Sequence, residues 1–264
     1  MAYKQLKLWF DEELAKMLAN KIQPLHPGFN KRQFIQKVKI GVTPLELKDR
    51  VELICDLLQQ YISKDFESSW NILEQILGEE NEKETGMFKE GYWIMPIAKF
   101  VEKYGLNDFN ISMKAIEEIT KRNTGEYTIR PFIEKHPKRT MKKMLQWSKN
   151  KNKHVRRLAS EGCRPKLPWA TKLQIFIDDP SPILPILENL KDDHSKYVQK
   201  SVANNLNDLL KDNYPIAIDI LKEWVNQDPS PSRKWIIKHG LRNQLKQGNP
   251  EALEIMEQLK KLKH

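Results

Sequence analysis

The chain has 264 residues, of which 45 are Lys or Arg and 35 are Asp or Glu, so its formal net charge is +10. This length is sufficient for one large domain with a hydrophobic core, or for two small ones. The composition excludes a disulfide-rich domain and a membrane-spanning chain, because there are two cysteines and no window approaches 18 consecutive apolar residues.

Charge and cysteine usage indicate the partner and the compartment. The excess of positive charge favours a polyanionic partner, although a basic protein without such a partner would have the same net charge. Cys55 and Cys163 lie far apart in the sequence, which favours a reducing compartment. The N-terminal segment is charged throughout and lacks the apolar core of a signal peptide. We therefore expect a cytoplasmic protein that does not bind a membrane.

Apolar residues recur at helical spacing along almost the whole chain. In residues 47–62, Val51, Ile54, Leu57, Leu58 and Tyr61 form one apolar stripe. The segments between such stripes contain clusters of Pro, Gly, Asp and Asn, which end one helix and begin the next. No segment has the pattern of a strand. The sequence predicts an all-α fold.

The second half of the chain contains an internal repeat. An offset of 43 residues aligns Met144 with Leu187, Trp147 with Leu190 and Val155 with Val198. A third unit follows after a shorter step of 34 residues, which aligns Trp224 with Leu190. Each unit consists of a helix, a polar loop and a second helix. Paired helices with a period near 40 residues are typical of HEAT-type solenoids.

This repeat predicts a domain organisation and a positively charged surface. We expect a single HEAT-like α-solenoid over residues 1–264, with N-terminal helices in 1–85 and clearer repeats in 86–264. The same alignment brings cations into register on the second helices, where they would form a basic concave face suited to a phosphate backbone. Solvation of those helices would explain the same cations without any ligand. The aligned cations are Lys114, Arg157, Lys200 and Lys234.

The helix that precedes Gly162 carries an acidic and a positively charged residue on the same side. Arg157 and Glu161 are four residues apart, and an ordinary surface ion pair would explain them. Pro165 and Pro168 follow closely and restrict the backbone of the segment that carries Arg164 and Trp169. A surface ion pair rarely has such a rigid neighbour, so a functional site is the competing interpretation.

For two other acidic residues, a structural explanation again competes with a role in a functional site. Glu126 lies near a predicted helix start, where capping alone would explain a carboxylate. Asp208 lies in a helix with asparagines at positions 204, 205 and 207, which are poor helix formers. Such polarity suggests that this helix lines a cleft. The histidines have no metal-ligand spacing, and no phosphate-binding glycine loop is present, so we expect no metal and no cofactor.

Several long motifs resemble one known family. They are EYTIRPFIEKHPKRT from Glu126, WSKNKNKHVRRLASEGCRPKLPWA from Trp147, and SVANNLNDLLKD from Ser201. Together with segments near residues 47–54 and 91–122, they resemble the AlkC branch of the AlkC/AlkD family of HEAT-repeat alkylpurine DNA glycosylases. The similarity covers roughly residues 40 to 245, and the run that ends in SEGCRPKLPW is its most distinctive part.

The resemblance implies a function and a set of site residues. It implies that Glu126, Glu161 and Asp208 are the active-site acids and that Trp169 packs beside the damaged nucleotide. Arg157 and Arg164 would hold the DNA backbone. The set of expected DNA-binding residues is completed by Arg156, Lys200, Lys114 and Lys234.

The expected reaction is hydrolysis of the N-glycosidic bond of cationic N-alkylated bases in duplex DNA, as a step of base excision repair. The resemblance implies 3-methyladenine and 3-methylcytosine as targets, 7-methylguanine as a further candidate, and recognition without full base flipping. We expect a monomer whose partner is double-stranded DNA containing alkylated bases. The alternative is a non-catalytic HEAT-repeat scaffold that binds nucleic acid or protein through the same surface.

Overall fold

Residues 4–86 and 88–262 are described by a computed structural model of the chain, and every regular element in these ranges is a helix. Two short 3₁₀ helices span Leu6–Trp9 and Tyr92–Ile94. The α-helices are, in chain order, α1 (Glu12–Ile22), α2 (Lys31–Gly41), α3 (Leu47–Tyr61), α4 (Phe66–Gln75), α5 (Phe88–Gly91), α6 (Met95–Tyr104), α7 (Phe109–Arg122), α8 (Arg130–Lys135), α9 (Pro137–Trp147), α10 (Lys153–Glu161), α11 (Gln174–Asp178), α12 (Leu184–Leu190), α13 (Lys196–Asp212), α14 (Tyr214–Asn226), α15 (Pro231–Gly240), α16 (Arg242–Lys246) and α17 (Pro250–Lys261).

The turn-rich clusters of the sequence contain the residues that begin these helices. The Asp11 carboxylate accepts hydrogen bonds from the backbone N–H groups of Glu13 and Leu14 at the start of α1. Ser230 accepts in the same way from the N–H of Arg233 at the start of α15. These side chains satisfy donors that lack an intrahelical partner.

None of the helices in the described residues is long and apolar enough to cross a membrane.

The chain divides into two compact units, and α8 contains the boundary between them. The first unit contains the described residues of Met1–Glu82 and Gly86–Phe132. In this unit α1 packs against α2, and α3 packs against α2 and α6. The apolar stripe of α3 is buried as the sequence predicts, except that Tyr61 is half-buried. The second unit contains Lys83–Thr85 and the described residues of Ile133–His264.

The second unit contains the helix pairs that the repeat predicts, which are α9 with α10, α12 with α13, and α14 with α15. Met144 and Leu187, which the offset of 43 residues aligns, are both fully buried, and the aligned Val155 and Val198 are fully buried too. Among the second helices, α13 lies between α10 and α15 and packs against both. The repeat therefore sets three successive second helices side by side.

The asparagines of α13 attach it to its neighbours. The Asn205 side-chain amide donates to the Ser160 carbonyl at 2.8 Å, and that of Asn207 donates to the Gly240 carbonyl at 2.9 Å. Both carbonyls lie in the last turn of a helix, where acceptors have no intrahelical partner. Poor helix formers in α13 are therefore explained by buried hydrogen bonds to α10 and α15, and the cleft that the sequence suggested is not needed to explain Asn205 or Asn207.

Candidate active site

A buried cluster of two acids and one arginine joins the end of α10 to α13. Arg164 Nη1 donates to Glu161 Oε1 at 2.8 Å, and Arg164 Nε donates to Asp208 Oδ2 at 3.0 Å. Glu161, Arg164 and Asp208 are only 6%, 7% and 2% exposed. Because α10 ends at Glu161 and the chain then turns back, Arg164 lies between the two carboxylates. Glu161 and Asp208 therefore share one buried partner within the second unit, and their role as active-site acids stays a prediction.

Further donors surround the Glu161 carboxylate. The Ser201 hydroxyl donates to Glu161 Oε2 at 2.6 Å, and Arg157 Nη2 lies 3.6 Å from Glu161 Oε1. The Arg157 guanidinium also lies over the Tyr197 ring, 4.8 Å from its centroid. Arg157 and Glu161 are not an ordinary surface ion pair, because both side chains are largely buried.

These contacts determine the protonation of Glu161. Burial raises the pKa of Glu161, but Arg157, Arg164 and the Ser201 hydroxyl together lower it further, so the net pKa lies below its ordinary value. For Arg164 the effects have the opposite sign. Burial lowers the pKa of this arginine, but the two carboxylates raise it above its ordinary value. Glu161 is therefore an anion at neutral pH. Such an anion can stabilise a nearby cation or accept a proton from water.

Asp208 has a second cation beside it. Lys211 Nζ lies 3.5 Å from Asp208 Oδ1, and the Lys211 side chain is exposed whereas the Asp208 side chain is buried. Removing ionised groups from water costs several kcal/mol for each group, so a buried set of two acids and an arginine is unusual without a functional reason.

Trp169 is the most exposed large apolar residue of the described chain, at 83%. It lies in the loop between α10 and α11, where Pro165 is buried and the Leu173 N–H donates to the Pro165 carbonyl at 3.0 Å. The backbone φ of Trp169 is +67°, in the left-handed region that a bulky residue rarely adopts. An exposed indole on strained backbone is typical of a residue that contacts a ligand.

Glu126 lies in the first unit, in the turn between α7 and α8, and is buried. It precedes the first residue of α8 by four positions. A role for Glu126 beside Glu161 and Asp208 stays a prediction.

The predicted DNA-binding cations have different environments. Lys114 and Lys200 are exposed on α7 and α13. Lys234 Nζ donates to the Leu262 carbonyl at 2.6 Å. Arg156 is buried and forms a bidentate ion pair with Asp193, at 2.6 and 3.1 Å. Arg156 also donates to the carbonyls of residues 150 and 151, which precede α10. Its guanidinium therefore connects this segment to the turn between α12 and α13, which contains Asp193.

Some of these partners were missed by the sequence analysis. Tyr197 and Ser201 contact Arg157 and Glu161, and each lies 40 residues after its partner. That spacing is close to the repeat length of 43 residues, and it could have indicated the pairs if side-chain contacts between adjacent second helices had been considered.

In residues 4–86 and 88–262, no group of three or more His, Cys, Asp or Glu side chains is arranged to hold a metal ion.

Comparison with known proteins identifies the class of protein that has these helix pairs and buried acids. A model of the family described as "DNA alkylation repair enzyme" matches residues 98–243. The chain belongs to this family of DNA alkylation repair enzymes, which confirms the predicted enzyme class.

Two relatives are similar to this chain over almost its whole length. The structure of Pseudomonas fluorescens alkylpurine DNA glycosylase AlkC bound to DNA containing an abasic site analog matches with a TM-score of 0.88 and 34% identity, and covers 97% of this chain and 69% of that chain. The uncharacterized protein YhaZ of Bacillus subtilis (strain 168) is 37% identical over 251 residues, which are 95% of this chain and 67% of that protein. The predicted resemblance to AlkC and the all-α, HEAT-like class of fold are confirmed.

Proposed function

We propose that the chain is a DNA glycosylase of base excision repair that hydrolyses the N-glycosidic bond of cationic N-alkylated bases in duplex DNA. The proposed substrates are 3-methyladenine and 3-methylcytosine, with 7-methylguanine as a further candidate. The observation that carries the proposal is the buried Glu161–Arg164–Asp208 cluster in a member of a DNA alkylation repair family. The likeness to a glycosylase bound to abasic-site DNA supports it.

The chemistry of the substrate determines what the protein must supply. Alkylation at N3 makes the base cationic, so the base departs as a neutral molecule while positive charge develops on the deoxyribose. Catalysis therefore requires negative charge beside the sugar and a group that accepts a proton from the attacking water. Related groups act in the hydrolysis of glycosides, where paired carboxylates flank the scissile bond.

Glu161 is suited to both tasks. Its lowered pKa keeps it ionised at neutral pH, so it can attract an oxocarbenium-like sugar without first losing a proton. The two arginines and Ser201 hold its carboxylate in one orientation, which reduces the reorganisation needed during the reaction. We propose Asp208 as the second acid, oriented by the same arginine, and Glu126 as a third.

Trp169 is proposed to contact the damaged nucleotide. The indole face attracts positive charge, so stacking on the sugar would stabilise the developing cation by about 1 kcal/mol or slightly more. Enzymes that extrude a base fully enclose it in a pocket. An indole that is 83% exposed is compatible instead with contact from outside the duplex, which supports recognition without full flipping.

We expect replacement of Trp169 by Asn to separate activity from stability. Asn tolerates the left-handed backbone better than Trp, and little packing is lost, so the free energy of unfolding should stay the same or rise by up to about 1 kcal/mol. Loss of the aromatic face should slow base release about 5- to 30-fold. Denaturant unfolding and a single-turnover assay measure the two effects. A variant that is clearly destabilised, or that retains the parental rate, contradicts the proposed role.

The proposed phosphate contacts follow from exposure. Lys114 and Lys200 are exposed, and we propose that both contact the DNA backbone directly. Lys234 and the arginines at positions 156, 157 and 164 already have protein acceptors, so their proposed contribution is positive charge near the duplex together with the orientation of the acids.

A single-turnover assay on duplex DNA containing a methylated base tests the function. We expect the parent protein to release the free base and leave an abasic site, which chromatography of the base and alkaline cleavage of the strand both measure. Unmodified duplex is the control. If the protein binds methylated duplex in a salt-sensitive manner without releasing base, the non-catalytic scaffold is the correct function.

A further inference from the structure

Two neighbouring helix faces in the second unit carry a second group of cations, next to the acid cluster. The face of α13 that carries positions 196, 200 and 204 lies against a face formed by the end of α15 and the start of α16. Successive members on each side are three or four residues apart, so each set lies along one side of its helix. Lys196 contacts the Trp235 ring and Asn204 contacts Arg242. Lys200 lies between Lys196 and Asn204 on α13, and His239 lies between Trp235 and Arg242 on the opposite face.

Arg242 has an unusual set of partners. Its Nη1 donates to the His239 carbonyl at 2.7 Å, and its Nη2 donates to Asn204 Oδ1 at 3.0 Å. Both acceptors are neutral. By contrast, Arg164 and Arg233 each pair with a carboxylate. Within residues 4–86 and 88–262, Arg242 forms no ion pair, and these two bonds use two of the five N–H donors of a guanidinium.

The surroundings of Arg242 disfavour further positive charge. Burial and the nearby Arg164 lower the pKa of Arg242, although Asp208 opposes them. Burial, Arg242 and Lys200 lower the pKa of His239. The His239 ring also stacks on Trp235, with centroids 4.7 Å apart and planes at 13°, which restricts its orientation. A protein that concentrates cations in this way without a paired carboxylate gains stability when an anion binds there.

We propose that Arg242, His239 and Lys200 form a subsite for one phosphate group of the DNA backbone. This proposal rests on the proposed function and deepens it, because it assigns part of the substrate to a particular group of residues. Arg242 donates to Asn204, which lies one helical turn before Asp208 on the same side of α13. The bound phosphate therefore lies near the nucleotide that reacts, and it fixes the position of the strand relative to the acids.

The salt dependence of DNA binding tests the role of Arg242. The probe is an unmodified duplex of fixed length, and binding is measured by fluorescence anisotropy over a range of salt concentrations. Each neutralised phosphate contributes about 0.9 to the slope of log K against log salt concentration. We expect Arg242→Gln to lower the magnitude of this slope by about 0.9. Lys142→Gln removes one charge from an exposed position of α9, a helix that carries none of the three subsite residues, and is the matched control.

The titration of His239 gives a readout that a merely structural role would not change. The charged groups that face His239 are Arg242 from α16 and Lys200 from α13, with Lys196 over the adjacent Trp235 ring. In the free protein, Arg242→Gln should raise the His239 pKa, because one repelling charge is removed. Addition of the duplex to the parent should raise it as well, because a phosphate stabilises the imidazolium. NMR of the histidine ring protons measures both shifts, and a His239→Asn variant assigns the signal.

The outcomes separate this proposal from the proposed function. A smaller slope for Arg242→Gln, an unchanged slope for Lys142→Gln and a raised His239 pKa on DNA addition support the subsite, even if no base is released. A parental slope for Arg242→Gln, or a His239 pKa that does not rise when DNA binds, overturns the subsite while base release stays intact. A parent that binds no duplex at any salt concentration overturns both. Circular dichroism verifies that each variant is folded.

Discussion

Replacing Glu161 with Gln is expected to slow single-turnover base release about 100- to 1,000-fold, the usual cost of losing one preorganised electrostatic group. The substitution preserves the size of the side chain, and its single amide oxygen can still accept from Arg164. The amide NH2 group replaces the oxygen that accepts from Ser201, so the Ser201 hydroxyl must turn and accept from it instead. It removes the negative charge that would stabilise the cationic sugar and the oxygen that would accept a proton from water. Affinity for unmodified duplex should not decrease, because an acid is lost from a basic protein.

Glu223→Gln is the matched control for this experiment. Glu223 is exposed on α14, so the same chemical change occurs on a helix that carries no member of the buried cluster. The control should release base at the parental rate. If Glu161→Gln also releases base at the parental rate, Glu161 has no part in the reaction, although the enzyme assignment would stand. A slow variant whose unfolding transition is unchanged would support a chemical role for this carboxylate.

Replacing Arg164 with Met is expected to lower the free energy of unfolding by about 3–5 kcal/mol, the range found when one partner of a buried ion pair is removed. Arg164 lies between the buried carboxylates of Glu161 and Asp208, and both lose a partner in the variant. Lys211 cannot replace it, because that side chain is exposed and 3.5 Å from Asp208. Urea denaturation of parent and variant at neutral pH measures the difference. The control Lys211→Met should cost less than about 1 kcal/mol.

The pH dependence of the same variant gives an independent measurement. In the parent, the folded-state pKa of Glu161 is below its ordinary value of 4.5, so its stabilising contribution is present above pH 4.5 and is lost as pH falls through the lower folded-state value. In Arg164→Met, burial without the guanidinium raises the pKa of this carboxylate. The folded variant then binds protons more readily than the parent as pH falls. We expect the stability difference to be largest at neutral pH and to narrow in acid, and a difference that widens would contradict the assignment.

Much of the fold could be predicted because helix formation depends on nearby residues. The stripe of α3 appears at helical spacing, and the Pro and Ser residues of the segment before α15 are the residues that begin that helix. The offset of 43 residues was also visible, since both members of each aligned pair, such as Met144 and Leu187, fill equivalent positions in the core. These signals do not require knowledge of which helices touch.

The site could be predicted only in part. Glu161 and Asp208 were both identified, but their joint contact with Arg164 depends on how the chain turns after α10. Arg156 and Arg157 are adjacent in the sequence, yet one pairs with Asp193 and the other lies beside Glu161. Their side chains leave the helix in directions about 100° apart, so their partners belong to different neighbouring elements.

The repeat alignment does not predict the polar contacts of the third repeat, which contains α14 and α15. The shorter step of 34 residues aligns Lys234 with Lys200, whereas His239 is the α15 residue whose pKa Lys200 influences. Lys234 contacts the Leu262 carbonyl instead. Alignment of apolar positions identifies equivalent core residues, but the polar partner across two helices depends on the axial shift between them, which apolar spacing does not specify.

The amino-acid sequence by itself determined that the chain is helical, that its second half repeats, and which motifs resemble the AlkC branch, because these properties depend on local spacing and residue type. Tertiary structure alone decided that Arg164 bridges two buried acids, that the asparagines of α13 bind the ends of its neighbours, and that Arg242 has neutral partners. The physical reason is that the bonds of Arg164 to Asp208, of Asn205 to Ser160 and of Arg242 to Asn204 join residues 44, 45 and 38 positions apart. A shift of one helix by a single turn would replace these three bonds.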